Sequence, residues 1–354
     1  MNEFLQELQS SARQVMQDAG TPAKHGATWP LMVELGWLLA PVPESLEGLG
    51  LGPEAVCVLQ QELGRNLAEV PFISASLALD ALCQGGADNA DWIARFTCGD
   101  IATAALVDTQ PGRQPISVAG VGEQATFSGQ LDGVPGTEHA SHVLVWDEQQ
   151  TAVALLALDQ GGIETQAQTS WDATQGISRI NLQQATVEGG ALLAQGEAAQ
   201  DLIARLLNLR DMALAADALG GAAALLELTV EHLQTRQQFG RPLALFQSLK
   251  HRCADLKTDI AAAEALFNST LSQACGDLGS ADAIFAGQKA KSLACATYDW
   301  VAEESLQLHG GIGMASEYPC HLFLKRSMLS RHLGTGSGDY LLTIAEQFLA
   351  SDEV

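Results

Sequence analysis

The stretch Thr235–Asp255, TRQQFGRPLALFQSLKHRCAD, decides the architecture of the C-terminal half, because it separates two long apolar stripes. Gly240 and Pro242 interrupt the helical pattern and predict a turn between the stripes. Arg236 is then expected to end one helix, and Gln247 to begin the next.

The residues on both sides of this stretch recur at helical spacing. The two stripes are Leu219, Ala222, Leu226, Val230 and Leu233, and Leu249, Cys253, Leu256, Ile260, Ala263 and Phe267. A third pattern of the same kind covers Ala281–Leu308. Three long helices with short connections predict a helical bundle.

A second informative stretch, Leu306–Asp339, follows the third stripe and reads LQLHGGIGMASEYPCHLFLKRSMLSRHLGTGSGD. Gln307 is expected at a helix C-terminus, and Gly310, Gly311 and Gly313 would let backbone amides approach a ligand closely. Exposed amides combined with an arginine from the preceding helix end are typical of a pyrophosphate site. Taken singly, each stretch is equally well explained as a turn or a glycine cap.

The sequence pattern changes twice ahead of the bundle. The first ~100 residues read as helical, with a clear apolar stripe in Pro53–Leu67. Residues 101–190 contain short runs rich in Val, Thr, Ile and Ala, cut by Gly, Pro, Asn and Asp, which predicts antiparallel strands. We therefore expect an α+β protein with an N-terminal helical domain (1–100), a central antiparallel β-domain (101–190) and a C-terminal helical bundle (191–354).

Composition excludes several classes of protein. The 354 residues include 18 Lys+Arg and 42 Asp+Glu, a net charge of −24, which argues against binding to nucleic acid. No apolar run approaches the roughly 18 residues of a membrane span. The first residues lack the pattern of a signal peptide. Seven cysteines without a CxxC pair favour reduced thiols and a cytoplasmic location.

Two further groups of side chains are candidates for binding a metal ion or a phosphate. His139 and His142 come nearest to a metal-ligand spacing, but they form no zinc signature, so no metal site is expected. Lys325, Arg326 and Arg331 form a basic group within the second stretch, near its glycines. It would contact phosphates or simply lie on a helix face.

Together the two C-terminal stretches resemble the signatures of the acyl-CoA dehydrogenase family, and the resemblance covers nearly the whole chain. The segments that carry it are RQQFG…FQ, QLHGGIG and, near the N-terminus, QELGRNLAEVPF. The resemblance implies FAD as cofactor, with its adenosine diphosphate part held across a subunit boundary. By that resemblance, one chain contributes Arg236, Phe239 and Gln247, and the neighbouring chain contributes Gln307 and the pair Gly310 and Gly311.

The catalytic base expected from the resemblance is missing. In this family a glutamate before a Gly-Thr pair removes the α-proton of an acyl-CoA thioester, while the β-hydrogen leaves as hydride to the flavin. Here Leu333, or Gly334 with a shift of one residue, occupies that place, and the family's second base position falls on Arg210. None of the three accepts a proton near neutral pH. No catalytic residue is therefore assigned, and Asp211 is the fallback.

The β-domain departs from the family in two places. The family commonly has a Gly-Ser-Asp loop and a Trp/Phe-Ile-Thr strand that packs on the flavin ring. Neither feature occurs in VDTQPGRQPISVAG (107–120) or LDGVPGTEHASHVLVW (131–146). The chain is therefore expected to keep the adenine-side contacts and to lack much of the surface under the flavin ring.

This pattern resembles the short, degenerate subunits of heteromeric acyl-CoA dehydrogenases, in which a paralogous partner supplies the glutamate. The resemblance implies an α2β2 heterotetramer that acts on bulky or dicarboxylic acyl-CoAs, such as steroid side chains or pimeloyl-CoA, with electron-transfer flavoprotein as acceptor. Two alternatives remain: a homo-oligomeric enzyme with Asp211 as a displaced base, and a non-catalytic scaffold. For Asp211, pairing with Arg210 or Arg205 on a solvated helix face is the favoured expectation.

Overall fold

The N-terminal part of the chain is built from five helices. The computed structural model describes residues 3–108, 113–120, 122–274, 277–334 and 337–350. The first five helices are α1 Glu3–Ala19, α2 His25–Glu34, α3 Gly52–Arg65, α4 Phe72–Gln84 and α5 Ala90–Thr97. Their apolar faces, including those of Met16, Leu59 and Phe72, lie in the main hydrophobic core.

The central part is a two-layer β-structure. Its strands are β1 Ala102–Ala104, β2 Ser117–Ala119, β3 Thr126–Pro135, β4 His142–Trp146, β5 Ala152–Ala157, β6 Ile163–Gln168, β7 Ile177–Thr186 and β8 Ala191–Gln195. They form two four-stranded sheets with the orders β1-β4-β5-β8 and β2-β3-β7-β6. Side chains such as Phe127 and Ile180 from one sheet and Val143 and Leu156 from the other form a separate core. The predicted antiparallel arrangement is confirmed, with one exception: β1 pairs parallel to β4.

The C-terminal part is a helical bundle, as predicted. Its helices are α6 Glu197–Thr235, α7 Gln247–Ala274, α8 Ala281–His309, α9 Cys320–Ser330 and α10 Ser337–Ala350. A two-residue hairpin, β9 Gln237–Gln238 and β10 Arg241–Pro242, joins α6 to α7. The acyl-CoA dehydrogenase fold expected from the sequence is thus present, while the domain boundaries at 100 and 190 stay a prediction.

Helix α6 lies at the centre of the molecule and packs against α3 and α8. Glycines allow the close approach to α3: a Cβ at Gly220 would lie 1.9 Å from the Gln61 carbonyl oxygen. A Cβ at Gly64 would lie 2.4 Å from the Asp217 carbonyl oxygen. Any larger residue at either position would push the two helices apart.

The length and composition of α6 also bear on the membrane question. The sequence predicts no membrane span, yet α6 is the one described helix that is long and apolar enough, with a mean hydropathy of 1.5 over its most apolar window. Within the protein, 72% of that window is buried. Burial of this extent is typical of a core helix.

A buried arginine on α9 joins the three parts of the chain. Arg326 is 1% exposed, and its Nε donates to Asp172 Oδ2 over 2.6 Å, in the loop between β6 and β7. Its Nη2 donates to Thr174 Oγ1 over 2.6 Å, and its Nη1 lies 3.5 Å from Asp217 Oδ1 on α6. Gln60 on α3 also donates to Asp217, over 2.7 Å. The basic group noted in the sequence is thus, for Arg326, an internal tie between the helical parts and the β-domain.

We expect Arg326→Met to lower the free energy of unfolding by about 3–5 kcal/mol, because it leaves the buried Asp172 and Asp217 carboxylates without their cation. Urea denaturation followed by circular dichroism measures this loss. Arg331→Met is the matched control: Arg331 pairs with Asp299 over 3.0 Å, but its side chain is 55% exposed. That change should cost less than about 1 kcal/mol. Equal losses in the two variants would contradict the role given to Arg326.

Candidate functional site

The two stretches singled out in the sequence lie side by side in one chain. His232 in the last turn of α6 and His309 at the end of α8 stack with ring centroids 4.6 Å apart. Arg236 caps α6 by donating its backbone N–H to the His232 carbonyl oxygen over 2.9 Å. Gly310 follows His309 directly and caps α8 with a φ of +64°. The arginine of one stretch and the glycines of the other therefore border the same part of the surface.

The hairpin between α6 and α7 exposes an aromatic ring. Phe239 and Gly240 form its two-residue turn, with φ values of +55° and +79°, as the twist of a short hairpin requires. Phe239 is 88% exposed, which is unusual for a phenylalanine unless it binds something. Gln247 begins α7 and is also exposed, as the sequence predicts.

The glycine segment presents open backbone to the same surface. Gln307 is exposed in the last turn of α8, and Gly310 begins a 3-10 helix over Gly310–Met314. A Cβ added at Gly310 or Gly311 would meet no atom within 4 Å. Space for a ligand therefore exists directly above this backbone.

These residues fit the adenosine diphosphate end of FAD. Arg236 is exposed and forms no ion pair with any described residue, so its guanidinium is available to a phosphate. Phe239 offers an apolar face, and Gln247 and Gln307 offer amides. Both stretches border one surface of this chain, while the division of their residues between two chains at one nucleotide stays a prediction.

The two positions where the family keeps its base also converge in this structure. Leu333 is 1% exposed and packs in the main core. Gly334, with a φ of +72°, lies against α6, where an added Cβ would be 2.8 Å from Asp211 Oδ1 and 3.5 Å from Arg210 Nη2. Its N–H donates to the Leu106 carbonyl oxygen over 2.5 Å. Thr335, the next residue of the family's Gly-Thr pair, lies outside the described residues.

A buried ionic cluster occupies this place. Arg210 is 1% exposed, donates to Asp211 Oδ1 over 3.1 Å, and forms an ion pair with Asp108. The Tyr340 hydroxyl donates to Asp211 Oδ2. Burial by itself lowers the pKa of Arg210, but the two carboxylates outweigh burial and raise the pKa above its usual value. The expected pairing of Asp211 with Arg210 is present, but the expectation of a solvated helix face is wrong.

The other arginine considered for Asp211 has a different partner. Arg205 Nε donates to Asp80 Oδ2 over 2.7 Å and so ties α6 to α4. The hydrogen bonds described for the carboxylate of Asp211, the fallback base, thus come from Arg210 and Tyr340.

A lysine that was not singled out in the sequence completes the cluster. Lys291 on α8 is fully buried, and its Nζ donates to the Leu333 carbonyl oxygen over 2.7 Å. Nζ also lies 4.9 Å from the centre of the Tyr340 ring. Burial lowers the pKa of Lys291. The position of this lysine between Ala290 and Ala294, in an apolar stripe, was the feature of the sequence that indicated its burial. Nothing local pointed to Asp108 or Tyr340.

Part of the β-domain stretch without the family's Trp/Phe-Ile-Thr pattern runs along β3. A Cβ at Gly133 on β3 would lie 2.3 Å from Val107 Cγ2, so no larger side chain fits there. Pro135 ends the strand and borders a small cleft between α3, α4 and the β-domain. His25 and His139 stack beside this cleft, with ring centroids 3.9 Å apart.

The pair His139 and His142 does not act as a metal-ligand pair in this structure. His142 is buried, and its Nε2 bonds to the Gly189 carbonyl oxygen over 3.0 Å, whereas His139 stacks on His25. No cluster of three His, Cys, Asp or Glu side chains with metal-binding geometry occurs within the described ranges.

Comparison with known proteins agrees with the fold and the order of the motifs. Residues 1–91 match the acyl-CoA dehydrogenase N-terminal domain, and residues 200–349 match the C-terminal domain. FadE27, an acyl-CoA dehydrogenase of Mycobacterium tuberculosis, is 30% identical over 329 residues, which cover 88% of this chain and 85% of that protein. IpdE2, an acyl-CoA dehydrogenase of the same species, is 28% identical over 86% of this chain and 81% of its own length.

Solved structures give the same result. A variant of the Tcur3481-Tcur3483 steroid ACAD superposes with a TM-score of 0.87 at 27% identity, covering 99% of both chains. The ChsE4-ChsE5 complex of Mycobacterium tuberculosis contains a chain of the same fold, with a TM-score of 0.87, 24% identity, and coverage of 100% of this chain and 99% of that chain. Taken with the residues described above, these matches show that the chain belongs to the acyl-CoA dehydrogenase family.

Proposed function

We propose that this chain is a subunit of a heteromeric acyl-CoA dehydrogenase that binds the adenosine diphosphate part of FAD, and that a paralogous partner subunit supplies the catalytic glutamate. The observation that carries the proposal is the content of the base site. Leu333 replaces a carboxylate, and Arg210 with its ionic partners fills the space around it. Proton abstraction beside a thioester needs a positioned acceptor, and this half-site offers none that is free.

The bonds of Asp211 argue against the alternative of a displaced base. Its Oδ1 accepts hydrogen bonds from two nitrogens of Arg210, and its Oδ2 accepts one from Tyr340. An acyl chain that approached Asp211 would have to displace these donors. Breaking a buried pair of this kind costs several kcal/mol.

The length of α6 supports a cofactor site shared between chains. Arg210 and Arg236 lie 26 residues apart on this helix, which corresponds to about 39 Å along its axis. An extended FAD is shorter than this distance. A nucleotide held at Arg236 would therefore keep its flavin ring away from this chain's own base site, which supports a flavin ring bound by a neighbouring chain.

The roles of the residues follow from this arrangement. When bound, FAD accepts the β-hydrogen of the acyl-CoA as hydride. Arg236 would hold the pyrophosphate, and Phe239 would contact the adenosine part. Gln247, Gln307 and the backbone of Gly310 and Gly311 would complete the contacts to the nucleotide. The flavin-ring surface and the base would come from the partner.

The relatives suggest the kind of substrate and assembly. Structural similarity to a steroid ACAD and to the ChsE4-ChsE5 complex favours a bulky acyl-CoA, such as a steroid side chain, and an α2β2 heterotetramer. A half-site without a base or a flavin-ring surface does not prevent turnover by the complex if the complete half-sites carry out the reaction. We further propose electron-transfer flavoprotein as acceptor and a cytoplasmic location.

Arg236→Ala should weaken FAD binding about ten- to hundredfold, because a charge-assisted contact to a phosphate is lost. The flavin content of the purified complex, read from its visible spectrum, measures this change. Lys257→Ala is the charge-matched control, since Lys257 is exposed on α7 nearly three turns beyond Gln247. Unchanged flavin content in the Arg236 variant would contradict the assignment.

The catalytic proposal is tested by comparing two substitutions in the complex: Asp211→Asn in this chain, and the corresponding Glu→Gln in the partner. We expect the partner change to lower turnover at least about 100-fold and the Asp211 change to leave turnover intact. Flavin content and melting temperature are measured in parallel. Loss of turnover in a folded, flavin-loaded Asp211→Asn complex would show that this chain carries its own base.

Should Asp211→Asn unfold the chain, Tyr340→Phe is the second variant, because it removes only the hydroxyl that donates to Asp211 Oδ2. A shared site predicts an unchanged pH profile of turnover, whereas Asp211 as base predicts a shifted profile. If the chain is colourless both when expressed alone and when co-expressed with the partner, the scaffold alternative is favoured over the shared site and over Asp211 as base.

A further inference from the structure

The stacked histidines join the two nucleotide-binding segments through side chains. His232 and His309 pack with an angle of 26° between their ring planes, and Tyr318 contacts both, with centroid distances of 6.3 Å and 5.1 Å. Arg236 is bonded to the His232 carbonyl oxygen, and Gly310 follows His309. Each ring thus belongs to a residue that is hydrogen-bonded to, or next in sequence to, a residue of the proposed nucleotide site.

The hydrogen bonds of His309 assign its proton. Nδ1 lies 2.8 Å from the Ser305 carbonyl oxygen, which only accepts, so Nδ1 carries the hydrogen. Nε2 lies 3.1 Å from the Tyr318 hydroxyl and accepts from it in the neutral ring. Both nitrogens of His309 are therefore used by the neutral form. At 5% exposure the ring is also closed to water.

His232 is the member of the pair that can take up a proton. Its ring is half-buried, and among the described contacts it has no hydrogen bond to either nitrogen. The ionisable groups around the pair are Arg236 and Glu231 on α6, Tyr318 in the loop after α8, and Cys320 on α9. Burial, followed by the charge of Arg236, lowers the pKa of His232; burial also lowers the pKa of His309.

We propose that the stack of His232 on His309 positions the two nucleotide-binding segments only while both rings are neutral, so that this chain releases FAD as the pH falls. The inference rests on the proposed FAD site and adds a form of regulation to it. A proton on His232 places a second cation beside Arg236, and both nitrogens of the facing His309 ring are already bonded, so that ring offers the cation no acceptor. Separation of the rings lets that cation reach water.

The sign follows from proton linkage. His232 has a lower pKa when stacked than when free in water, so the stacked state binds fewer protons at mildly acid pH. The stack is fully stable above the ordinary histidine pKa of about 6.5. It weakens as the pH falls below that value. For one proton, the dissociation constant of FAD rises at most about tenfold per pH unit.

The test measures FAD binding to the tagged full-length chain, isolated with the subunit that accompanies it. Flavin fluorescence is titrated between about pH 5.5 and pH 7.5, a range in which FAD itself does not ionise. We expect the wild type to bind FAD about tenfold more weakly at the lower pH. His232→Phe keeps an aromatic stack without an ionisable group, so it should bind as tightly as wild type at the higher pH and lose most of the pH dependence.

Two further variants separate the possible causes. His232→Ala removes the stack and should weaken FAD binding about fivefold at the higher pH. His25→Phe is the matched control: His25 is also stacked on a histidine, and burial also lowers its pKa, but it lies beside the β-domain. It should leave the pH profile of FAD binding unchanged.

The outcomes distinguish this inference from the function on which it rests. Tight FAD binding with the same pH profile in wild type and His232→Phe would overturn the inference and leave the FAD site standing. A flattened profile in His25→Phe would likewise overturn it, since the proton would then act elsewhere. Absence of FAD binding at every pH would overturn both proposals.

Discussion

The guanidinium of Arg326 is the interaction on which the assembly of this chain depends. It lies on a short helix late in the sequence, yet its partners come from the β-domain loop at Asp172 and from Asp217 on α6. Through Gln60, which donates to Asp217, the same group reaches the N-terminal helices. A buried cation with two buried carboxylates is stable only when all three are present, so the network favours one relative placement of the three parts.

A second buried arginine has a different relation to function. Arg210 forms its ion pairs at the place where this family removes a proton from its substrate. Arg326 holds α9 against the β-domain, whereas Arg210 and Lys291 hold the segment that follows α9. Charged groups at the proposed base site are thus part of the internal packing. Their contacts hold this part of the fold without a carboxylate at position 333.

The parts of the structure that were predictable from the sequence are those set by local patterns. Apolar periodicity and the Gly240–Pro242 turn gave the end of α6 and the start of α7 at Arg236 and Gln247. The alternation of short Val/Thr runs with turn residues predicted the β-domain. The burial of α6 was harder to predict from the sequence. Its apolar residues pack on several sides of the helix, and its hydropathy alone resembles that of a membrane span.

The ionic clusters were not predictable, because their members are far apart in the chain. Asp108 and Arg210 are 102 residues apart, and Asp211 and Tyr340 are 129 apart. The sequence therefore indicated that the base was absent but not what replaced it. For Arg326 the neighbouring Lys325 and the glycine segment suggested a phosphate contact, whereas its partners lie inside the protein.

The position of Gly334 against Asp211 limits which substitutions the proposed base site can accept. A glutamate at position 333 would replace a leucine of the main core and would add a third acid beside Asp108 and Asp211. A Leu333→Glu change alone would therefore bury a further carboxylate beside two that already share Arg210. Loss of Arg210 alone would likewise take the cation from the buried Asp211 carboxylate. The cluster thus constrains this place in the core in two directions, against a lost cation and against an added acid.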